Sequence, residues 1–251
     1  MSGHNKWSKV KHIKAREDAK KGKVFSKCAH EITIAARDGG GDPSMNPRLR
    51  AAIESAKAVS MPKDNIERAI KKGTGELGGE TIQDVVYEGY GPAGIAFLIE
   101  VSTDNLNRSA AGIRSIFTKN GGSIATPGSV AYQFERKGEI RLSGENLDEE
   151  AAFEAAIEAG AEDLEPDEDG FIVLTAATEL NHVATRLREA GHKVLSERLV
   201  SIPQNPTLIS DESTARKALR LYELLDDYDD TYQVFTNFEI DDALLATMAG
   251  E

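Results

Sequence analysis

From residue 25 onward, apolar side chains recur every three or four positions at Phe25, Cys28, Ile32 and Ala35, and the run stops at Gly39-Gly40-Gly41. That spacing predicts an amphipathic helix ended by glycine. Asn46 followed by Pro47 reads as an N-cap and first helical residue, with Leu49, Ile53, Ala56 and Val59 on one face of a second helix. Pro62 opens a third helix, in which Ile66, Ala69 and Ile70 face inward. Lys71 and Lys72 suit the negative end of its dipole, and Gly73 stops it. None of the three is stable alone, so their apolar stripes predict a small bundle. The preceding segment, residues 1–22, offers only Trp7, Val10 and Ile13 as large apolar groups and reads as an arm.

The period changes after residue 80. Ile82 to Glu88 and Ile95 to Val101 read as strands around the Gly89-Tyr90-Gly91-Pro92 turn, and Gly73, Gly75, Gly78 and Gly79 mark a hinge before them. Thr103-Asp104-Asn105 supplies capping side chains for a helix through Ile113, Ile116 and Phe117, closed at Asn120-Gly121-Gly122. A strand is expected at Ser129 to Glu135. Residues 131–204 then read as strand to Leu142, helix 148–159, strand, acidic turn, strand 171–175, helix 178–190 and strand 193–202. The order βαββαβ is the ferredoxin-like pattern. A last helix, 212–225, and strand, 231–239, cannot bury a core by themselves and are assigned back to the ββα segment. The expected fold is therefore α+β, an N-terminal three-helix bundle followed by two α/β (ferredoxin-like) domains, one inserted in the other. The expected boundaries are 1–79, 80–130 with 205–251, and 131–204.

A length of 251 residues suits two or three domains at about 100–200 residues each. With 40% hydrophobic and 29% charged residues, wholesale disorder is excluded. The net charge of −12 argues against a nucleic-acid partner until it is divided along the chain. Residues 1–79 hold 17 Lys+Arg against 9 Asp+Glu, a balance of +8, and the rest carries −20. A basic head on an acidic body points to polyanion binding by the head and fits a basic protein partner for the body. The longest apolar stretch, Ile95 to Ile99, is far short of the ~18 residues a membrane helix needs. The N-terminus lacks a signal-peptide pattern, and the single Cys28 cannot form an internal disulfide, so a cytoplasmic protein with no membrane association is expected.

Several apparent motifs lack the context their chemistry needs. Gly73-Thr74-Gly75-Glu76-Leu77-Gly78 matches GxGxxG, yet a helix precedes it and a strand follows, the reverse of a dinucleotide site. Gly39-Gly40-Gly41-Asp42 is followed by no Lys-Ser/Thr pair and reads as a helix-ending loop. Glu165, Asp167, Asp169 and Gly170 imitate a calcium loop, but its twelfth position is Ala176, so a hairpin turn is expected. The histidines show no metal-ligand spacing, no GxSxG elbow is present, and Glu149, Glu150, Glu154 and Glu158 fall mostly on a solvated helix face. A cleft enzyme built on Asp104, Asn105, Asn107 and Arg108 is the catalytic alternative. Helix capping is the simpler account of those residues. No catalytic residue, metal or cofactor is expected.

Electrostatics remains. Residues 6–27 carry nine basic groups against Glu17 and Asp18, a local +7, with the only tryptophan inside the run. The expected nucleic-acid-binding residues are Lys6, Trp7, Lys9, Lys11, Lys14, Arg16, Lys20, Lys21 and Lys23, joined by Lys63, Arg68, Lys71 and Lys72 on the third helix. Phosphate contacts of this kind give affinity without sequence readout. Aromatics at 6% are too sparse for a single-strand stacking platform, which favours a duplex or folded RNA.

In order along the chain stand Gly3-His4-Asn5-Lys6-Trp7, Lys20-Lys21-Gly22-Lys23, Gly39-Gly40-Gly41-Asp42-Pro43 and Asn46-Pro47-Arg48-Leu49-Arg50. Met61-Pro62-Lys63-Asp64-Asn65-Ile66-Glu67-Arg68-Ala69-Ile70, Tyr87-Glu88-Gly89-Tyr90-Gly91-Pro92, Thr103-Asp104-Asn105 with Asn107-Arg108, and Gly128-Ser129-Val130 follow. This series resembles the YebC family of bacterial regulators, itself related to the mitochondrial translational activator of cytochrome oxidase subunit one. Cys28 and His30 depart from it, standing where an aliphatic and a basic residue are expected. The resemblance implies a helical domain and two α/β domains, no catalysis, and a DNA-binding transcriptional regulator. The alternative it also implies is a ribosome-associated translation factor that binds rRNA and assists synthesis of difficult sequences.

Overall fold

The computed structural model describes residues 20–78, 82–145, 147–167 and 170–249, with the side chains of 20–23, 242 and 249 left aside. The expected arm lies outside the described residues up to position 19. By packing, the described chain divides into two units, one of 20–131 with 211–236 and the other of 132–210 with 237–249.

The first unit begins with α1 (Lys20–Gly39), α2 (Pro47–Ala58) and α3 (Lys63–Gly73). Their apolar stripes meet as the spacing predicts, with Ile32, Ala35, Leu49, Ala56, Ile66 and Ala69 in one core. Asn46 joins two helices at once. Its Oδ1 accepts from the Leu49 amide at 3.0 Å, capping α2. Its Nδ2 donates to the carbonyls of Ala35 at 2.7 Å and Gly40 at 2.9 Å, closing the end of α1.

A four-stranded sheet follows, in the order β3-β1-β2-β9 and antiparallel throughout. Its strands are β1 (Gln83–Tyr90), β2 (Ala96–Thr103), β3 (Ser123–Ile124) and β9 (Thr231–Thr236). Two helices complete it, α4 (Leu106–Lys119) and α7 (Glu212–Asp226), burying Ile113 and Phe117 from α4 and Ala218, Leu221 and Leu225 from α7. Phe97 on β2 meets Phe117 edge to face, with ring centroids 5.8 Å apart. Gly89 and Gly91 leave room for these rings, since a Cβ at either would come within 2.5 Å of Phe117 or Phe97.

The second unit contains β4 (Phe134–Ser143), α5 (Glu149–Ala159), β5 (Asp163–Asp167), β6 (Gly170–Ala176), α6 (Leu180–Glu189) and β7 (Val194–Pro203). The sheet order β5-β6-β4-β7, antiparallel throughout, is the ferredoxin-like arrangement of a βαββαβ chain. Ile140, Leu142, Phe171 and Val173 pack there against Ala152, Ala156, Val183 and Leu187 of the two helices. Asp148 caps α5 and Gly160 ends it in the left-handed region at φ +92°, a conformation glycine adopts without a Cβ clash. The protein is thus α+β, as expected.

Three details differ from the sequence reading. The strand expected at Ser129 to Glu135 starts only at Phe134, and Ala131–Gln133 form a 3-10 turn instead. Glu88 is the cause, because its buried carboxylate collects the amides of Gly128, Val130 and Ala131 and curls the segment off the sheet. The strand expected at 231–239 breaks at Asn237. Its second part, β10 (Phe238–Ile240), pairs in parallel with β8 (Thr207–Ile209), and Asn237 Nδ2 reaches Gln133 Oε1 at 3.1 Å. A final helix, α8 (Asp242–Ala249), has no counterpart in the sequence reading.

Candidate nucleic-acid interface

Of the residues expected to bind nucleic acid, Lys6, Trp7, Lys9, Lys11, Lys14 and Arg16 lie outside the described residues, as do the side chains of Lys20, Lys21 and Lys23. The remaining four sit on α3. Lys63 is 87% exposed and lies 3.4 Å from Glu67 one turn on, a contact worth little in water. Arg68 and Lys71 are exposed and make no ion pair or side-chain hydrogen bond among the described residues. Lys72 is different. Its ammonium lies 3.1 Å from Asp104, which holds the Asp104 carboxyl below the usual carboxylate range, Arg108 adding to the effect.

Other cations of the helical part are likewise occupied. Arg37 donates two hydrogen bonds to Asp84, at 2.9 and 2.8 Å, tying α1 to β1 and pushing the Asp84 pKa down. Arg48 reaches Glu31 and Asp38, and Lys27 reaches Asp226. Two cations not singled out by sequence reading join Arg68 and Lys71 instead. Arg50 and Lys57, two helical turns apart on α2, are exposed and without an ion pair among the described residues. The signal was available, because a seven-residue spacing returns a helix to nearly the same face.

Three of the four residues of the cleft alternative, Asp104, Asn105 and Arg108, make structural contacts. Asn105 caps α4, its Oδ1 accepting from the Arg108 amide at 3.0 Å. Asp230 accepts from Arg108 at 2.9 Å, from Ser109 Oγ at 2.6 Å and from Thr103 Oγ1 at 3.1 Å. Asp104 and Asp230 therefore fasten the start of α4 to α3 and to the turn before β9. Gly73, the first glycine of the GxGxxG match, is needed where α1 and α3 approach, since a Cβ there would stand 2.3 Å from the Thr33 carbonyl oxygen. Asp167 pairs with Arg141 at 3.0 Å beside the β5–β6 hairpin, and positions 168–169 lie outside the described residues. Burial pushes the Cys28 thiol up, which suppresses the reactive thiolate. Among the described residues no group of three or more His, Cys, Asp or Glu is placed to hold a metal, and no helix is long and apolar enough to cross a membrane.

These features define an α+β protein with a helical part bearing uncommitted surface cations and a separate ferredoxin-like unit. Residues 5–76 match the TACO1/YebC protein N-terminal domain, and residues 82–238 match the TACO1/YebC second and third domain. A probable transcriptional regulatory protein of Akkermansia muciniphila is 65% identical across 98% of both chains. One from Persephonella marina is 49% identical, again across 98% of each. The crystal structure of a conserved hypothetical protein from Aquifex aeolicus superposes with a TM-score of 0.79 at 46% identity, covering 91% of this chain and 94% of that one. The chain belongs to the TACO1/YebC family. Both relatives' names describe a regulator rather than an enzyme.

Proposed function

We propose that this protein is a non-enzymatic, DNA-binding transcriptional regulator that contacts nucleic acid through its basic N-terminal arm and its helical part. The observation that carries the reading is the division among the cations. Lys27, Arg37, Arg48 and Lys72 are spent on carboxylates, whereas Arg50, Lys57, Arg68 and Lys71 face solvent without an ion pair among the described residues. Surface cations kept clear of carboxylates are available to replace the counterions of a phosphate backbone. The arm adds a local +7, and the names of the relatives agree with regulation. The proposed contacts in the arm are Lys6, Trp7, Lys9, Lys11, Lys14, Arg16, Lys20, Lys21 and Lys23.

The test is binding of the full chain to duplex DNA, read by fluorescence anisotropy across a salt series. Log K should fall against log[salt] by about 0.9 per phosphate contacted. Replacing Lys9, Lys11 and Lys14 together, or Arg50 and Lys57 together, with alanine should flatten that slope. Tight co-sedimentation with ribosomes, beside no promoter binding at physiological salt, would replace DNA with ribosomal RNA as the polyanion.

A further inference from the structure

A cavity of about 440 Å³ opens in the first unit between α1, α3 and the turns that precede α4 and β9. Its size falls within the range of about 300–1,000 Å³ that small-molecule sites occupy. Phe25, Met61, Ala69 and Ile82 supply apolar wall. Much of its polar lining is already occupied. Lys72 and Asp104 bind each other, Asp230 holds three donors, and Ser102 donates to Asp84.

Three charged or ring-bearing lining side chains are left over, and the Ser26 hydroxyl and Asn65 amide, which each donate and accept, add no preference of their own. His30 stacks on Tyr232, and its Nε2 is buried with no hydrogen-bond partner among the described residues. Arg68 and Asp229 are exposed, opposite in charge, and form no ion pair or side-chain hydrogen bond among the described residues. A buried polar atom without a partner is uncommon in a folded protein and calls for a water, an ion or a ligand to complete its bonding. Burial lowers the pKa of His30, so its imidazole is neutral near pH 7 and presents one donor and one acceptor.

A ligand that satisfies this remainder has an anionic group for Arg68, a flat apolar body for the wall and hydrogen-bond donors for Asp229, and the His30 Nε2 takes a donor or an acceptor according to its tautomer and adds no preference. Nucleotides have the first two. The third selects among them, because an ionised carboxylate only accepts. Guanine alone of the common bases offers two adjacent donors on one edge, N1–H and N2–H. Adenine and cytosine set a donor beside an acceptor, and uracil sets one donor between two acceptors.

We propose that this cavity is a nucleotide subsite selective for guanine, with the Asp229 carboxylate reading the base edge and Arg68 holding the phosphate. The inference deepens the nucleic-acid reading of the helical part and rests on it. The guanine nucleotide has two sources, a free mononucleotide or a nucleotide turned out of a strand.

Isotope-labelled full-length protein titrated with guanosine 5′-monophosphate, adenosine 5′-monophosphate, and the single-stranded RNA trinucleotides UGU and UAU separates them. Guanine should shift the methyl resonances of Ala29, Met61 and Ala69 saturably and bind about tenfold or more tightly than adenine. Asp229→Asn should bring the guanine-to-adenine ratio close to one. Arg68→Gln should weaken both phosphorylated ligands while keeping their ratio. Guanine-selective shifts from UGU but not from the mononucleotide assign the subsite to a strand, and the reverse assigns it to the free ligand. Absence of guanine-selective shifts from both probes, or a ratio unchanged in Asp229→Asn, overturns the proposal. Duplex DNA binding measured on the same samples keeps the two failures apart. DNA binding retained without guanine selectivity overturns only the subsite, whereas loss of DNA binding in the unmodified chain faults the broader reading.

Discussion

Glu88 shows how one carboxylate redirects a segment. Burial by itself would raise its pKa, but three amide donors, from Gly128, Val130 and Ala131, bring it below the ordinary glutamate value. A folded-state pKa below the unfolded one means that the ionised form is bound more tightly in the native chain. Its contribution to stability is therefore complete above the unfolded pKa, about 4.5, and is lost as pH falls from there through the folded value. Glu88→Gln removes the charge and should destabilise the fold by about 1–3 kcal/mol at pH 7, read from urea denaturation. The difference from the unmodified protein should shrink as pH drops below about 4.5. A gap that stays constant from pH 7 to pH 3.5 would show that the amide nest does not depend on the charge. None of this was legible in the sequence, where Gly128-Ser129-Val130 looks like the start of a strand and its anchor lies in a different strand. The same limit applies to Lys71 and Lys72, adjacent and chemically alike. Only the fold brings Asp104 to one of them.

Periodicity revealed the longer elements and missed the short ones. The longer helices follow from apolar spacing over ten or more residues, enough turns to define a face, and the βαββαβ order from strands of five to ten residues set between such helices. By contrast, β3 and β8 span two and three residues and cannot display a period, and α8 is apolar almost all round, with no polar stripe to mark its orientation. Capping was more informative at Asn46 and Asn105, each of which sits where a helix begins and accepts from the third residue on, and Asp148 and Asp211 do the same at the starts of α5 and α7. Asn46 does more than its sequence position announces, because its amide nitrogen also serves two carbonyls at the end of α1. Asn46→Ala should cost about 2–3 kcal/mol, more than an exposed cap, since it leaves a buried carbonyl unmatched as well. Asn46→Asp keeps the cap acceptor but sets a buried carboxylate oxygen against the two carbonyl oxygens, so it should cost at least as much as Asn46→Ala in urea melts at pH 7 followed by circular dichroism. Gly73→Ala probes the α1–α3 contact from the other side. A methyl 2.3 Å from the Thr33 carbonyl oxygen must push the helices apart, with an expected loss of about 1–3 kcal/mol. Stability equal to the parent would mean that Gly73 serves the hinge instead of the packing.

Across the whole molecule the net charge of −12 is a sum of parts with different work to do. The +8 of residues 1–79 is attractive to phosphate at contact, and its effect follows counterion release. On the proposed function, the −20 of the rest repels a polyanion held by the basic segment, and such repulsion reaches only as far as the Debye length. That length is about 8 Å at physiological salt and about 30 Å at 0.01 M. The two contributions therefore separate in a salt series. Near 0.15 M and above, the affinity of the protein for duplex DNA should follow the contact term alone. Toward 0.01 M, the returning repulsion should bend the line below its extrapolation. Changing Glu149, Glu150, Glu154 and Glu158 of α5 together to glutamine removes four negative charges from exposed positions far from the basic segment in sequence. The quadruple variant should match the parent at 0.15 M, bind more tightly at 0.01 M, and give a straighter plot between them. Equal affinity at both salts would show that the acidic body exerts no field on the bound polyanion. A large gain already at 0.15 M would place α5 within a Debye length of the DNA and make it part of the interface.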